Sequence, residues 1–492
     1  VWPAEILTAL QKVYGDNVRQ AAIQPLSTDQ QLAAARAEKL NESQASEFLE
    51  GIAAIRVEAL AKQPLTLRLL IDDFKSTGNI ASNRCDLFDR AVIELVEERK
   101  ERHLSGGVLP FERDQLIEAV ERLACMLLLS DGHAVSLDDQ PAPGCLSHRD
   151  LSGLPSEGLP LNFELLRALS QTGLFESDSS KPFEFVHRMF AEYLAGRRLA
   201  RLPLHQSRAL LASPAGWQEG VAGTLRETAS IAANLNSDVA GWIAESEPEV
   251  IGQSDVAESS VRRTATLQLL QQCREHRITD MQFHRDGLSI DGLIYADAEA
   301  DLKPVLRERT PKSEDVLDCA IRMVREWNIS NLCPDLVDLM LDETAPLEAR
   351  KDAGHTLLDI APPDVLVKIK PLITDDPESS DEELKGTALR ANWPHNLTCC
   401  ELLAALTPRQ RRNFHGSYAH FQWELVESEF DAGKCRVSGL RWAFQQFSTL
   451  DNDHDAPYKI AQKILHSALD HLDNDAVASE VLKIVEDCSR SS

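Results

Sequence analysis

Along most of the chain apolar residues recur every three or four positions, and alternation is confined to a short stretch between residues 173 and 187. A three-to-four spacing turns one face of a helix inward, so the pattern predicts a mainly α fold. Between Glu47 and Lys62 the stripe Phe48, Ile52, Ile55 and Ala59 predicts one helix. Pro64 then opens another, since a first-turn residue has no amide bond to lose. Leu67, Leu70, Ile71 and Phe74 face inward, and Gly78 suits a left-handed end. Ser82 or Asn83 can cap a third helix with Leu87, Phe88, Ala91, Val92 and Leu95 inside.

A second group of elements spans residues 104–203. Glu112–Leu129 is amphipathic, with Leu116, Val120, Leu123 and Leu127 on one side. Gly132 to Pro160 is rich in Pro, Gly, Ser and Asp and is expected to be mostly loop. Leu161–Gln171 reads as a short helix. Gly173–Ser177 and Phe183–His187 then read as paired strands around a turn-prone Asp-Ser-Ser-Lys-Pro. A helix from Met189 to Leu202 completes the outline of a winged helix, three helices and one hairpin. From 204 to 492 only helices and short turns are expected. Arg262–Ala265, Arg350–Ala353 and Lys385–Ala388 resemble one another at offsets of 88 and 35 residues, each after an Asp-led loop (Asp255, Asp342, Asp381). A drifting repeat of this kind predicts a HEAT-like α-solenoid. Thr374–Glu383 is expected to be an exposed acidic loop.

At 492 residues the chain is too long for one core. It starts at Val1 with no signal-peptide pattern, and the expectation is a segment of a longer protein. Acidic residues outnumber basic ones by 78 to 51, a net charge of −27 that opposes nonspecific attraction to nucleic acid or an anionic membrane. No apolar run is long enough to cross a bilayer. The ten cysteines form no C-x-x-C pair, which predicts thiols in a reducing, cytoplasmic setting and neither a disulfide framework nor a zinc site.

Two segments carry a resemblance. Ala61-Lys-Gln-Pro-Leu-Thr-Leu-Arg-Leu-Leu-Ile71 is similar to the Pro-Leu-x-Leu-x-Leu-Leu element in the helical domain of NACHT and wider STAND NTPases. Phe183-Glu-Phe-Val-His-Arg-Met-Phe-Ala-Glu-Tyr-Leu-Ala-Gly-Arg-Arg198 resembles their winged-helix signature. The resemblance divides the chain into a remnant of a nucleotide-binding domain (1–27), a helical domain (28–103), a winged helix (104–203) and a helical sensor array (204–492). It makes Glu5–Tyr14 a helix and Ala21–Ser27 a strand and turn of the remnant.

What the resemblance implies for function is an ATP-dependent signalling switch, of the kind used in bacterial antiviral defence or signal transduction. ATP or ADP with Mg²⁺ is the cofactor of the intact protein, a slow ATPase that oligomerises when a protein ligand engages the repeats. Pro64 corresponds to the proline that lies against adenine, and His187 to the histidine that contacts the β-phosphate of ADP. A histidine before a helix N-terminus can donate one bond to an anion already favoured there. The phosphate-binding loop Gly-x-x-x-x-Gly-Lys followed by Ser or Thr occurs nowhere, so the chain carries no ATPase machinery of its own. Leu69–Phe74 imitates an acidic Mg²⁺-site strand but sits in a helical pattern. Phe190, Tyr193 and Leu194 read as core, and Cys399-Cys400 near His395 and His415 as structural thiols. Two other functions fit the same elements: a protein-binding scaffold without nucleotide, and a winged-helix transcription regulator using Arg197, Arg198 and Arg201.

Overall fold

The computed structural model describes residues 12, 25–55, 57–62, 64–79, 83–97, 111–138, 141–153, 158–176, 182–213, 220–279, 289–310, 313–373, 381–407, 416–427, 436–449 and 456–491. The expected remnant elements at 5–14, residue 12 apart, and at 21–24, and the acidic loop at 374–380, lie outside them. The chain is mainly helical and divides into two compact units, Val1–Ala257 and Glu258–Ser492.

The first unit opens with α1 (Thr28–Ala37), α2 (Glu42–Ala54), α3 (Glu58–Ala61), α4 (Pro64–Thr77) and α5 (Arg84–Glu97). Ser27 and Asn41 each begin a helix with a reciprocal capping box. The single helix expected over Glu47–Lys62 is broken at Ile55. Ile55 and Val57 are both buried, and two residues apart on one helix they would point to opposite faces. The chain breaks there and both turn inward. α4 starts at Pro64 and buries Leu67, Leu70, Ile71 and Phe74, and Gly78 ends it at φ +77° with its amide on the Phe74 carbonyl. Asn83 supplies the cap of α5, its Oδ1 accepting the Asp86 amide at 2.9 Å.

α6 (Arg113–Leu129), α7 (His148–Ser152), α8 (Phe163–Leu169) and α9 (Arg188–Ala200) follow, with two strand pairs between them. β3 (Phe175–Glu176) and β4 (Glu184–Phe185) pair antiparallel where alternation predicts strands. The stretch read as loop also holds β1 (Ala134–Ser136), parallel to β2 (Cys145–Ser147). Val135 and Phe183 exchange two backbone bonds of 2.9 Å, which joins β1 to the hairpin. Three-residue strands are too short for a period to show, so composition alone misread them. α9 packs on α6 and α11 (Arg226–Leu235), and Phe190, Tyr193 and Leu194 lie in one core running from Ala35 to Ile231. α10 (Leu204–Leu211), α12 (Ser237–Ser246) and α13 (Pro248–Gly252) complete the unit. The helices expected to head the repeat array thus pack within the first compact unit.

In the second unit one set of helices stacks in chain order: α14 (Ser259–Arg274), α16 (Glu314–Glu326), α18 (Leu347–Ile360), α20 (Glu382–Asn392), α22 (Ser417–Glu427) and α24 (Ala456–Leu469). Between them run α15 (Ala298–Val305), α17 (Cys333–Leu341), α19 (Pro363–Leu366), α21 (Cys399–Ala405) and α23 (Leu440–Thr449), and α25 (Asp475–Ser491) follows α24. From α16 to α24 successive members start 33 to 39 residues apart. The 88-residue gap between the first two similar segments contains one more stacked helix, α16. Ion pairs keep the same step: Arg274–Glu308, Arg309–Asp342, Arg325–Asp359 and Arg390–Glu424 each span 33 or 34 residues.

Gly386 permits a close crossing of α20 and α22. A Cβ there would land inside the backbone of Ser417 and Tyr418, so neither helix can yield. Gly386→Ala should lower stability by about 1–3 kcal/mol, measured by urea unfolding. Gly241→Ala on α12, where nothing lies within 4 Å, should be neutral or stabilising by up to ~1 kcal/mol.

Candidate functional site

His187 follows β4 and occupies the cap position of α9 in an extended conformation, φ −152° and ψ 137°. Its Nδ1 accepts the Met189 amide at 3.2 Å. An amide donates, so Nδ1 must present its lone pair, and a neutral ring then carries its proton on Nε2. Among the described residues Nε2 has no hydrogen-bond partner. The ring is half-buried, and burial holds its pKa below the ordinary 6.5. His187 is therefore a neutral donor at the N-terminal end of a 13-residue helix. Its neighbour Arg188 bonds Glu192 at 2.7 Å and the Thr224 carbonyl at 3.2 Å, with its side chain largely exposed.

Pro64 is the first residue of α4 and is exposed. The two motif segments, far apart in sequence, share a wall. Thr66, Leu69 and Leu70 of the first and Phe190 of the second line one crevice with Leu60 and Phe88. Its cavity of about 20 Å³ has room for a single water, so the crevice itself takes no nucleotide. Leu69–Phe74 is helical, as its pattern predicts, and Asp73 pairs with Arg90 at 2.7 Å.

The arginines of α9 point to structure. Arg197 bonds Asp89 at 2.5 Å and lies 3.0 Å from Glu121, and Arg201 bonds Glu121 at 2.6 Å. Glu121 is fully buried, and guanidinium groups so committed are poorly placed to hold a phosphate backbone.

Two clusters escaped the sequence reading. His355, Glu383 and Ser417 come from three successive stacked helices. His355 Nε2 lies 3.2 Å from Glu383 and 3.3 Å from Ser417, and the Ser417 hydroxyl bonds Glu383 directly. A hydrolytic serine needs the imidazole between hydroxyl and carboxylate, and here one ring nitrogen faces both. Burial opposes the charge on Glu383, but the Ser417 hydroxyl and amide and His355 hold its pKa below the usual value. The cluster ties three stacked helices together, detectable in sequence only once the step of about 34 residues is known.

The other cluster joins Glu247 and Glu249, before and within α13, to one Arg226 nitrogen at 2.9 and 3.2 Å. Burial, reinforced by Glu249, pushes Glu247 up to about 8. Among the described residues no group of three His, Cys, Asp or Glu side chains could hold a metal ion. Cys399 is disulfide-bonded, against the expectation of thiols throughout, while Cys400 is free and exposed. His415 lies outside the described residues. No helix among them is long and apolar enough to cross a membrane.

Two pH dependences of opposite sign follow. The unfolded chain protonates His187 first, so the contribution of its cap is present above pH 6.5 and is lost as pH falls below it. Asparagine caps as well and does not titrate, so in urea unfolding at pH 7.5 and 5.5, His187→Asn should lose less stability on acidification than the parent. Glu247 binds its proton more tightly when folded, so its contribution is lost as pH rises from about 4.5 through 8. Glu247→Gln should remove that alkaline loss in the same assay.

No protein family, characterised protein or solved structure matches this chain.

Proposed function

We propose that this chain is the helical, winged-helix and sensor portion of a NACHT-type nucleotide switch. The observation that carries the reading is His187, a neutral imidazole whose Nδ1 is engaged by the Met189 amide and whose Nε2–H is left to donate. The shared crevice supports it, because it places the Pro64 segment beside the first turn of α9. A nucleotide spanning Pro64 and His187 would lie outside that crevice, with its phosphates supplied from a domain bearing the loop this sequence lacks.

In this reading the nucleotide contributes an adenine face and a diphosphate charge. Pro64 offers an exposed apolar surface to the ring. His187 donates to the phosphate, and the N-terminal end of α9 favours its charge. While that contact holds, α9 is fixed in the closed state. A protein ligand on the stacked helices of the second unit shifts the balance to an open state, in which the nucleotide exchanges and new surfaces permit oligomerisation. Antiviral defence or regulated signalling is the biological role this mechanism fits. The stack also favours a second reading, a protein-binding scaffold without nucleotide, because near-neighbour packing builds long binding surfaces.

The test uses the longest natural form of the protein that includes a phosphate-binding loop. Purified protein should retain ADP, and His187→Ala should lower the retained fraction at least about tenfold, as expected for losing a hydrogen bond to a charged group. Undiminished retention in the variant would remove His187 from the switch. A parent protein free of nucleotide would leave the scaffold reading.

A further inference from the structure

The first compact unit ends at Ala257, and the residues just before it are held by one buried side chain. Arg84, the first residue of α5, is 5 % exposed. Its guanidinium bonds Asp255 at 3.5 Å, Glu227 at 3.2 Å, Ser230 at 3.4 Å and the Gln253 carbonyl at 2.7 Å. Its own backbone amide donates to Asp255 at 3.2 Å, so Asp255 satisfies one of the free amides of α5 from 171 residues away. The next residue repeats the tie: Cys85 meets Asn234, whose Oδ1 accepts the Asp255 amide at 2.9 Å.

The other end of this contact reaches α9. Phe88 lies one turn beyond Arg84, stacks on Tyr193 with centroids 5.1 Å apart and meets Phe190 edge-on at 5.5 Å. Arg84, Cys85 and Phe88 also share a small cavity with Met189, whose amide His187 holds, and with Glu192, Glu227 and Ile231. The carboxylates of Glu227 and Asp255 are 44 % and 32 % exposed, so water can take them up when they leave the buried guanidinium.

We infer that Arg84 is a releasable latch coupling the Gln253–Asp255 segment, through Phe88, to the His187 end of α9. With the latch closed, Asp255 caps α5, Phe88 is seated against Phe190 and Tyr193, and the His187 cap is held. Displacing the segment removes the acceptor of the Arg84 amide, loosens the first turn of α5 and passes that freedom to the first turn of α9. The regulatory consequence rests on the nucleotide-switch reading. The coupling itself does not, and it is present in the chain without nucleotide.

The experiment follows hydrogen exchange and the His187 imidazole resonances in the full chain, with His187→Asn identifying those resonances. Asp255→Ala, which leaves the Arg84 amide without its acceptor, should raise amide exchange at residues 253–256 and 84–88 about tenfold or more. It should also move the His187 titration midpoint up toward 6.5 as the ring loosens. Arg84→Lys, which keeps the charge but loses the forked donors, should do the same. Gly386→Ala, destabilising in the second unit, should leave His187 unmoved. Faster exchange with an unchanged His187 titration would overturn the relay. Unchanged exchange at residues 253–256 in both variants would overturn the latch as well. Loss of nucleotide control in the longer protein leaves both measurements unaffected, so the two proposals fail separately.

Discussion

One hydrogen bond organises the candidate site: the Met189 amide donates to His187 Nδ1. It starts α9 by satisfying an amide that the helix cannot pair internally, and it decides which ring nitrogen carries the proton. The same bond therefore serves folding and chemistry. The helix it starts carries Phe190, Tyr193 and Leu194 into the core, where they meet α5, α6 and α11. A ring free to flip would offer donor or acceptor by turns. A ring held at Nδ1 offers a donor only, which is what an anion requires.

Much of this was legible because it rests on local rules. The stripe Leu67, Leu70, Ile71 and Phe74 predicts the inner face of α4, and Pro64 and Gly78 its two ends. Alternation on either side of Asp178–Pro182 predicts the β3–β4 pair. Where the rules failed, long-range packing had overridden them. Val57 must be buried two residues after Ile55, which breaks a helix that periodicity would continue. β1 pairs with β2 over three residues, too few for a period to show, and is joined to the hairpin by Phe183, about fifty residues away. His187 was visible as a motif residue, but the nitrogen left to donate follows only from the direction of the Met189 amide.

Charge was the least legible feature. An excess of acids reads as a solvated surface, yet many of these carboxylates have assigned partners. Glu121 neutralises arginines of α9, Asp255 caps α5 from a distance, and Glu383 joins three stacked helices. In the second unit four of the pairs, Arg274–Glu308, Arg309–Asp342, Arg325–Asp359 and Arg390–Glu424, span 33 or 34 residues. Pairs this exposed add little stability each.

The account stands on the protonation state of one ring. A two-bond proton–nitrogen correlation spectrum of the chain at pH 7, with His187→Asn identifying the signals, reads it directly. The prediction is a neutral His187 ring, protonated at Nε2 and bare at Nδ1. A proton on Nδ1, or a charged imidazolium at that pH, would contradict it, because the Met189 amide would then have no acceptor and the site would not present the donor on which the proposed switch depends.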